Sequence, residues 1–354
     1  TAEGAGLTTP SPWGYIDSRR GRRVLAEAIE RFSPDVVHLH NFYHLFSPGI
    51  LAVLAERRQR GGPRVVATAH DFHLICPNAG LRFFVRGEGV EADPDRLGSL
   101  VYLLTKRWDH RGRAHSAAKL LQHLFNYRLL HRRRAIDTVI APSRWACGVL
   151  ERAGIGVAYV PNPVDVSPAP ASARDIAHPA GGETRLVFAG RVEPEKGLAE
   201  FIAHLRGVEH LRIEIIGDGG DLERCRRAAA DAGVEADFAG RLDRAETVRR
   251  IALADALVLP SLCAENAAMV LFEALASRTV PLVPDRGAPR EIIEQFGVGA
   301  AFDPRSRESV LEALHAAREH SADWAVVAEK LEEWSPRRHA ERLAGVYAGD
   351  RCGS

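Results

Sequence analysis

Residues Val258–Ala276 read VLPSLCAENAAMVLFEALA. The run Ala256-Leu257-Val258-Leu259 has the length and apolar character of a buried strand, Pro260-Ser261 breaks it, and Val270, Leu271, Ala274 and Leu275 then recur at helical spacing. One carboxylate, Glu265, therefore falls in a loop between strand and helix. A second, Glu273, lies about two turns further on, along the helix. Between them the first amides of the helix, those of Ala267, Ala268 and Met269, lack intrahelical acceptors and carry the positive end of the helix dipole, which makes them a seat for a phosphate. A phosphate flanked by two carboxylates suits a sugar nucleotide, with Glu273 accepting from ribose hydroxyls and Glu265 from sugar hydroxyls. The competing structural reading makes Glu265 a helix cap and Glu273 a solvated helix residue.

Upstream, Leu186-Val187-Phe188-Ala189 reads as another strand, followed by Gly190-Arg191-Val192-Glu193-Pro194-Glu195-Lys196-Gly197 and a helix. This arrangement sets one Arg and one Lys at the carboxyl edge of a parallel sheet, where open α/β sheets take their ligands. The segment from Arg185 to Pro304 resembles the donor domain of retaining glycosyltransferases of family 4, which have the GT-B fold. Their Gly-Arg-(x)4-Lys-Gly loop is matched by Gly190, Arg191, Lys196 and Gly197, and their Glu-(x)7-Glu motif by Glu265 and Glu273.

The resemblance implies an α/β chain of two Rossmann-like domains facing a cleft. It also implies a donor-binding set of Gly190, Arg191, Lys196, Arg241, Leu242, Asn266, Ala267, Ala268, Met269, Val270 and Glu273. Arg191 and Lys196 would neutralise the departing diphosphate. Glu265 would orient the sugar, and backbone groups around Arg241 and Leu242 would hold the base. No metal and no cofactor are implied, the nucleotide diphosphate sugar being a substrate. Many relatives carry a Gly between the two glutamates where this chain has Asn266-Ala267-Ala268. Ordinary helical geometry is expected at Ala268.

A second resemblance lies at His70-Asp71-Phe72-His73-Leu74-Ile75-Cys76-Pro77-Asn78, which follows the strand Arg64–Ala69 and is similar to a His-Asp-Tyr-(x)-Leu-(x)-Cys-Pro-Asn segment in a subset of the family. It gives His70 a place at the reaction centre, and His70 and Glu265 become the catalytic candidates. Asn41, Asp71 and Asn78 are acceptor-side candidates. The alternative is that Asp71 caps the next turn and His70 bonds locally. His38 and His40 project to one face of the strand Asp35–His40, a metal-like spacing with no third ligand, so hydrogen-bonded histidine is expected. Cys76 reads as packing.

Length and composition agree with two domains. The chain has 354 residues, 46% of them hydrophobic, which is ample for two cores. No apolar run is long enough to span a bilayer. A net charge of +1 argues against a general nucleic-acid binder. The five cysteines (Cys76, Cys147, Cys225, Cys263, Cys352) form no CxxC pair, which points to neither a zinc site nor a disulfide framework and leaves a reducing, cytoplasmic setting as the default. Charge is uneven, however. Residues 82–134 hold twelve Lys or Arg against five Asp or Glu, with a helix over Ala114–Arg134 striped by Leu120, Leu121, Leu124, Phe125, Leu129 and Leu130. Such an element suits docking to an anionic membrane surface or a phosphate-bearing acceptor, and an ordinary packed helix with a charged outer face suits it equally.

The expected organisation is an acceptor-side domain over residues 1–161, a Pro/Ala/Ser-rich linker over 162–183 opening at Pro161-Asn162-Pro163-Val164-Asp165, and a nucleotide-sugar domain over 184–334. A terminal segment, 335–354, would cross back to the first domain. The chain opens Thr1-Ala2-Glu3 and its single methionine is Met269. Relatives begin with a strand and a Gly-rich loop ahead of the strand at Asp35, so the N-terminal domain is expected to lack its first strand, which puts catalysis in question. The leading expectation is a retaining transferase that moves a sugar from a nucleotide diphosphate sugar to a glycan, lipid-linked or small-molecule acceptor. A sugar-nucleotide epimerase of the same architecture and a non-catalytic sugar-nucleotide-binding homologue are the alternatives.

Overall fold

A computed structural model describes residues 11–164, 182–319 and 322–349. The chain divides into two compact units, Thr1–Pro161 with Glu341–Ser354, and Asn162–Ala340. Most of the expected linker lies outside the described residues.

The first unit is built on β1 (Val36–His40), β2 (Arg64–Thr68), the hairpin strands β3 (Arg82–Val85) and β4 (Glu88–Glu91), β5 (Thr138–Ala141) and β6 (Val157–Tyr159). Its main sheet runs β1-β2-β5-β6, every pair parallel. Val65, Val66 and Ala67 of β2 are all buried. Such unbroken burial marks a strand covered on both faces rather than one. The helices around the sheet are α1 (Pro12–Ile16), α2 (Arg19–Phe32), α3 (Ile50–Gln59), α4 (Leu100–Thr105), α5 (Arg113–His123) and α6 (Arg144–Arg152). Ser18 and Ser143 cap α2 and α6, each hydroxyl accepting from an amide three residues on.

α3 begins only at Ile50, after Ser47-Pro48-Gly49. Ser47 takes a left-handed conformation, φ 58°, and its hydroxyl accepts from the amides of Ser18 and Gly49. The single helix expected over Ala114–Arg134 is three pieces: α5, a π-helical stretch Leu124–Leu129, and a 3-10 turn Arg132–Ala135 entered through left-handed His131. The hydrophobic stripe predicts one rod, but two buried side chains bond elsewhere. Gln122 donates to the carbonyl of Tyr15, and Asn126 to those of Ile16 and Gln122. The β3–β4 hairpin, turning at Arg86-Gly87 with both φ positive, accounts for the lost βα rhythm of this region.

The second unit comprises β7 (Thr184–Ala189), α7 (Leu198–His204), β8 (Leu211–Ile216), α8 (Leu222–Ala232), β9 (Glu235–Gly240), α9 (Arg244–Ala252), β10 (Ala256–Val258), α10 (Met269–Ala276), β11 (Val280–Pro284), α11 (Gly287–Phe296), β12 (Ala300–Phe302), α12 (Arg307–Glu319) and α13 (Trp324–Glu332). The strands lie in the order β12-β11-β10-β7-β8-β9, all parallel. Consecutive residues of β7 feed opposite cores. Leu186 and Phe188 pack with Phe201 and Phe302, while Val187 packs with Leu257, Leu271 and Phe272. Strand order reverses between β7 and β10, and this switch point leaves a crevice at the strands' carboxyl ends, where doubly wound sheets bind ligands.

The terminal helix α14 (Pro336–Ala348) ends in the first unit, where Val346 is fully buried against Val66, Ile140 and Ala158.

Candidate functional site

The two loops that leave the switch point carry Lys196 and Glu265. The Lys196 ammonium donates to Glu265 Oε1 at 2.5 Å, and the Ser261 hydroxyl donates to the same oxygen at 2.6 Å. Both side chains of the pair are largely shielded, at 17% and 14% exposure. A glycine makes this meeting possible. Gly197 has φ 65°, and a Cβ there would lie 2.3 Å from the Pro260 carbonyl oxygen and 2.9 Å from Leu262 Cγ. Bare backbone lets the first loop rest on the second, and the Leu262 amide donates to the Glu195 carbonyl. Ala288 holds the far side by donating its amide to the Glu265 carbonyl at 3.3 Å.

The helix start differs from expectation. α10 begins at Met269, and Ala268, its N-cap, has φ −90° and ψ 92°, an extended and not a helical conformation. No side chain caps this end. Because φ is negative, alanine takes the position without strain, and no glycine is required there. With Ala268 as N-cap, the amides of Ala268, Met269 and Val270 are the ones without intrahelical acceptors, and Ala267 lies one residue ahead of the helix. Asn266 is buried, and Met269 and Val270 are partly buried beside it.

Glu273 is partly exposed and lies 3.3 Å from Arg244 Nε. Neither Arg244 nor its helix α9 figures in the sequence reading. Arg191 is exposed, with no hydrogen bond or ion pair among the described residues. Arg241 lies 3.7 Å from Asp218, and Leu242 packs against the core that holds α10.

Gly217 and Gly219 acquire a role that the sequence reading did not give them. A Cβ at Gly217 would lie 1.8 Å from the Gly190 carbonyl oxygen, and one at Gly219 would lie 2.1 Å from that of Val192. The amides of Gly190 and Val192 donate to the carbonyls of Ile216 and Asp218, and Asp221 returns a bond to Val192. Three glycines in four residues after a strand are thus a signature of two loops in backbone contact, and they fix the loop that presents Arg191.

In the first unit, His70 stands at the carboxyl end of β2 and exchanges a hydrogen bond with its neighbour on β1, His40 Nδ1 to His70 Nε2 at 2.7 Å. His38, two residues back, bonds Thr68 Oγ1 and the Tyr347 hydroxyl, each at 2.8 Å. Hydrogen-bonded histidine is therefore what the strand carries, and no group of three metal-ligating side chains occurs among the described residues. Burial holds the His70 ring below its ordinary pKa, against a smaller pull from Asp71, so the imidazole is neutral near pH 7.

Asp71 faces inward. It accepts from the Tyr43 hydroxyl at 2.5 Å and from the His73 amide and ring at 3.0 and 2.9 Å. Burial would raise its pKa, but the bonds from His73 and Tyr43 outweigh burial and hold the carboxyl below the usual range. Asn78 is buried, donating to the Trp108 carbonyl and accepting from Gly80. Asn41 is exposed just after β1 with φ 44°. The structure thus brings His70 to His40, engages Asp71 with Tyr43 and His73, and engages Asn78 with Trp108 and Gly80.

Two family models match the chain: Glycosyltransferase Family 4 over residues 2–168 and Glycosyl transferases group 1 over residues 172–334. A phosphatidyl-myo-inositol mannosyltransferase of Mycolicibacterium smegmatis is 29% identical over 209 residues, covering 53% of each chain. The Mycobacterium leprae protein of that name is 26% identical over 209 residues, covering 53% of this chain and 54% of its own. The chain spans about half the length of these curated relatives. Among solved structures, sucrose-phosphate synthase of Thermosynechococcus elongatus superposes with a TM-score of 0.66 at 15% identity, covering 93% of this chain and 77% of that one. Anabaena HepE in complex with UDP does so with a TM-score of 0.64 at 13% identity, covering 93% and 82%.

Proposed function

The chain belongs to the glycosyltransferases of family 4 with the GT-B fold, and from that premise we propose that it transfers a sugar, with retention, from a nucleotide diphosphate sugar to an acceptor. One observation carries this reading: Lys196 and Glu265 meet at the switch point of a parallel sheet, ahead of the uncapped end of α10. A diphosphate at the amides of that helix would draw the Lys196 ammonium and, with Arg191, have its charge neutralised as the sugar–phosphate bond breaks. Glu265 would then be released to the sugar hydroxyls, and Glu273 would accept from the ribose. His70, neutral and bonded to His40, would line the reaction centre as a hydrogen-bonding group rather than a cation.

The donor to try first is GDP-mannose. Two curated relatives are mannosyltransferases, and a third, 31% identical over 126 residues, is a GDP-mannose-dependent alpha-mannosyltransferase of Mycolicibacterium smegmatis. Phosphatidyl-myo-inositol is the acceptor that the first two names favour. Anionic membranes would be met through α4 and its surroundings, where Leu100, Val101 and Leu104 are 55%, 72% and 58% exposed and Lys106 and Arg107 follow directly. This placement is peripheral, on the cytoplasmic face, and no helix among the described residues is long and apolar enough to cross a membrane.

The test is release of nucleoside diphosphate from a panel of donors with and without acceptor, with the product's anomeric configuration read by NMR. An inverted product would remove the retaining assignment. Interconversion of the donor without acceptor would assign the epimerase class, and binding without turnover the non-catalytic one. Sedimentation with acidic vesicles that fades as salt rises is expected, and equal binding to neutral vesicles would end the membrane placement.

A further inference from the structure

The first unit holds a second cationic site, independent of the donor site in the other unit. A pocket of about 110 Å³ lies between the π-helical stretch after α5, the end of α6 and the turn at Pro94–Gly98, and its lining includes Arg128, Arg133 and Arg152. A single water needs only about 10–15 Å³ of such space, so there is room for a phosphoryl group.

Three features set this pocket apart from an ordinary surface dent. First, its charges are not neutralised from within. Arg128 donates to the Leu97 carbonyl and Arg133 to that of Leu74, but neither has a carboxylate partner among the described residues. Asp95 is the one acid on the lining, exposed and 3.8 Å from Arg152, so the lining carries an excess of two positive charges. Second, burial and then the charge of Arg128 both push the Arg133 guanidinium below its ordinary pKa, the mark of two cations held near each other.

The third feature is polar. Tyr127 and His123 also line the pocket, and the Tyr127 hydroxyl is buried with no hydrogen-bond partner. The two residues are only 4% and 3% exposed. An orphaned donor inside a fold costs free energy unless something meets it. An oxyanion would satisfy both conditions at once, accepting from Tyr127 and from the forks of the arginines.

We propose that this pocket binds a phosphoryl group, either inorganic phosphate or the terminal phosphate of a monoester, through Arg133, Arg128 and the Tyr127 hydroxyl. Calorimetry on the full chain, at fixed ionic strength set with chloride, would titrate inorganic phosphate and glycerol 3-phosphate separately. Saturable binding is expected, weakened about tenfold in Tyr127→Phe, which removes one hydroxyl and no packing. Arg133→Gln should weaken it further. Should Arg133→Gln fail to fold for want of its bond to Leu74, Tyr127→Phe alone carries the test.

Lys196→Gln separates this site from the donor site: it should leave the Tyr127-dependent binding unchanged, whatever it does to nucleotides. Binding of both ligands assigns a monoester pocket, and binding of inorganic phosphate alone a free-phosphate pocket. No saturable binding by the parent, or equal affinity in the parent and in Tyr127→Phe, would overturn the proposal.

Discussion

Replacing Gly197 by alanine tests whether contact between two loops builds the proposed donor site. Gly197 and Gly207 lie in the same unit with nearly the same backbone, φ 65° and 75°, so an alanine methyl costs each about 1 kcal/mol for the left-handed conformation. Their surroundings differ. A Cβ at Gly207 meets nothing within 4 Å, whereas one at Gly197 would lie 2.3 Å from the Pro260 carbonyl oxygen, where 3.4 Å is ordinary contact. Relieving that overlap takes a shift of the order of 1 Å in one of the two loops, and forced overpacking of this kind costs about 1–3 kcal/mol more. Gly207→Ala should therefore lose about 1 kcal/mol in urea unfolding and Gly197→Ala about 2–4 kcal/mol.

The functional consequence is larger than the stability loss. Lys196 precedes the displaced residue and its bond to Glu265 spans the same two loops, so affinity for nucleoside diphosphate should fall at least about tenfold in Gly197→Ala and hold in Gly207→Ala, a misplacement of this size being enough. Equal unfolding costs for the two variants, or an unchanged nucleotide affinity in Gly197→Ala, would refute the claim that close backbone approach sets the Lys196–Glu265 geometry.

Three further outcomes are expected. Glu265→Gln should bind free nucleoside diphosphate about 3–10-fold more tightly than the parent, because Lys196 no longer has to leave a carboxylate; an unchanged or weaker affinity by calorimetry would show that Lys196 is not recruited. Burial, helped by Arg128 and Arg133, pushes His123 from 6.5 down to about 3, so the unfolded chain takes up this proton first and stability is lost as pH falls below the unfolded value. From pH 7.5 to 5 in phosphate-free buffer the parent should lose about 2 kcal/mol that His123→Gln does not, and parallel stability curves would contradict this. Tyr347→Phe removes the bond from the terminal helix to His38 and should cost about 1 kcal/mol in unfolding, with no loss counting against that bond as an anchor.

The motifs legible in the sequence were those in which chemistry and backbone share a signal. Gly190, Arg191, Lys196 and Gly197 follow an apolar run, and so does Glu265, which is why the two loops and the parallel sheet beneath them could be read together. Legibility ended where side chains override local pattern. The stripe from Leu120 to Leu130 predicts one helix, yet Gln122 and Asn126 turn inward to cap backbone carbonyls of α1, and the helix widens into a π stretch there. Nothing in the spacing of leucines announces that two amides among them will be buried.

The same rule separates the readable from the unreadable part of the site. Glu273 is found from its spacing to Glu265, but its neighbour Arg244 comes from a helix 29 residues earlier that has no motif of its own. Asp71 is found beside His70, yet the chain bends at both residues once β2 has ended at Thr68. There His70 bonds His40, and Asp71 bonds Tyr43 and His73. A His-Asp pair in sequence is therefore two separate devices in space. Asp71, held ionised by its donors, ties the loop to Tyr43 and to His73. In the proposed function His70 is then the one residue of the pair offered to the reaction centre.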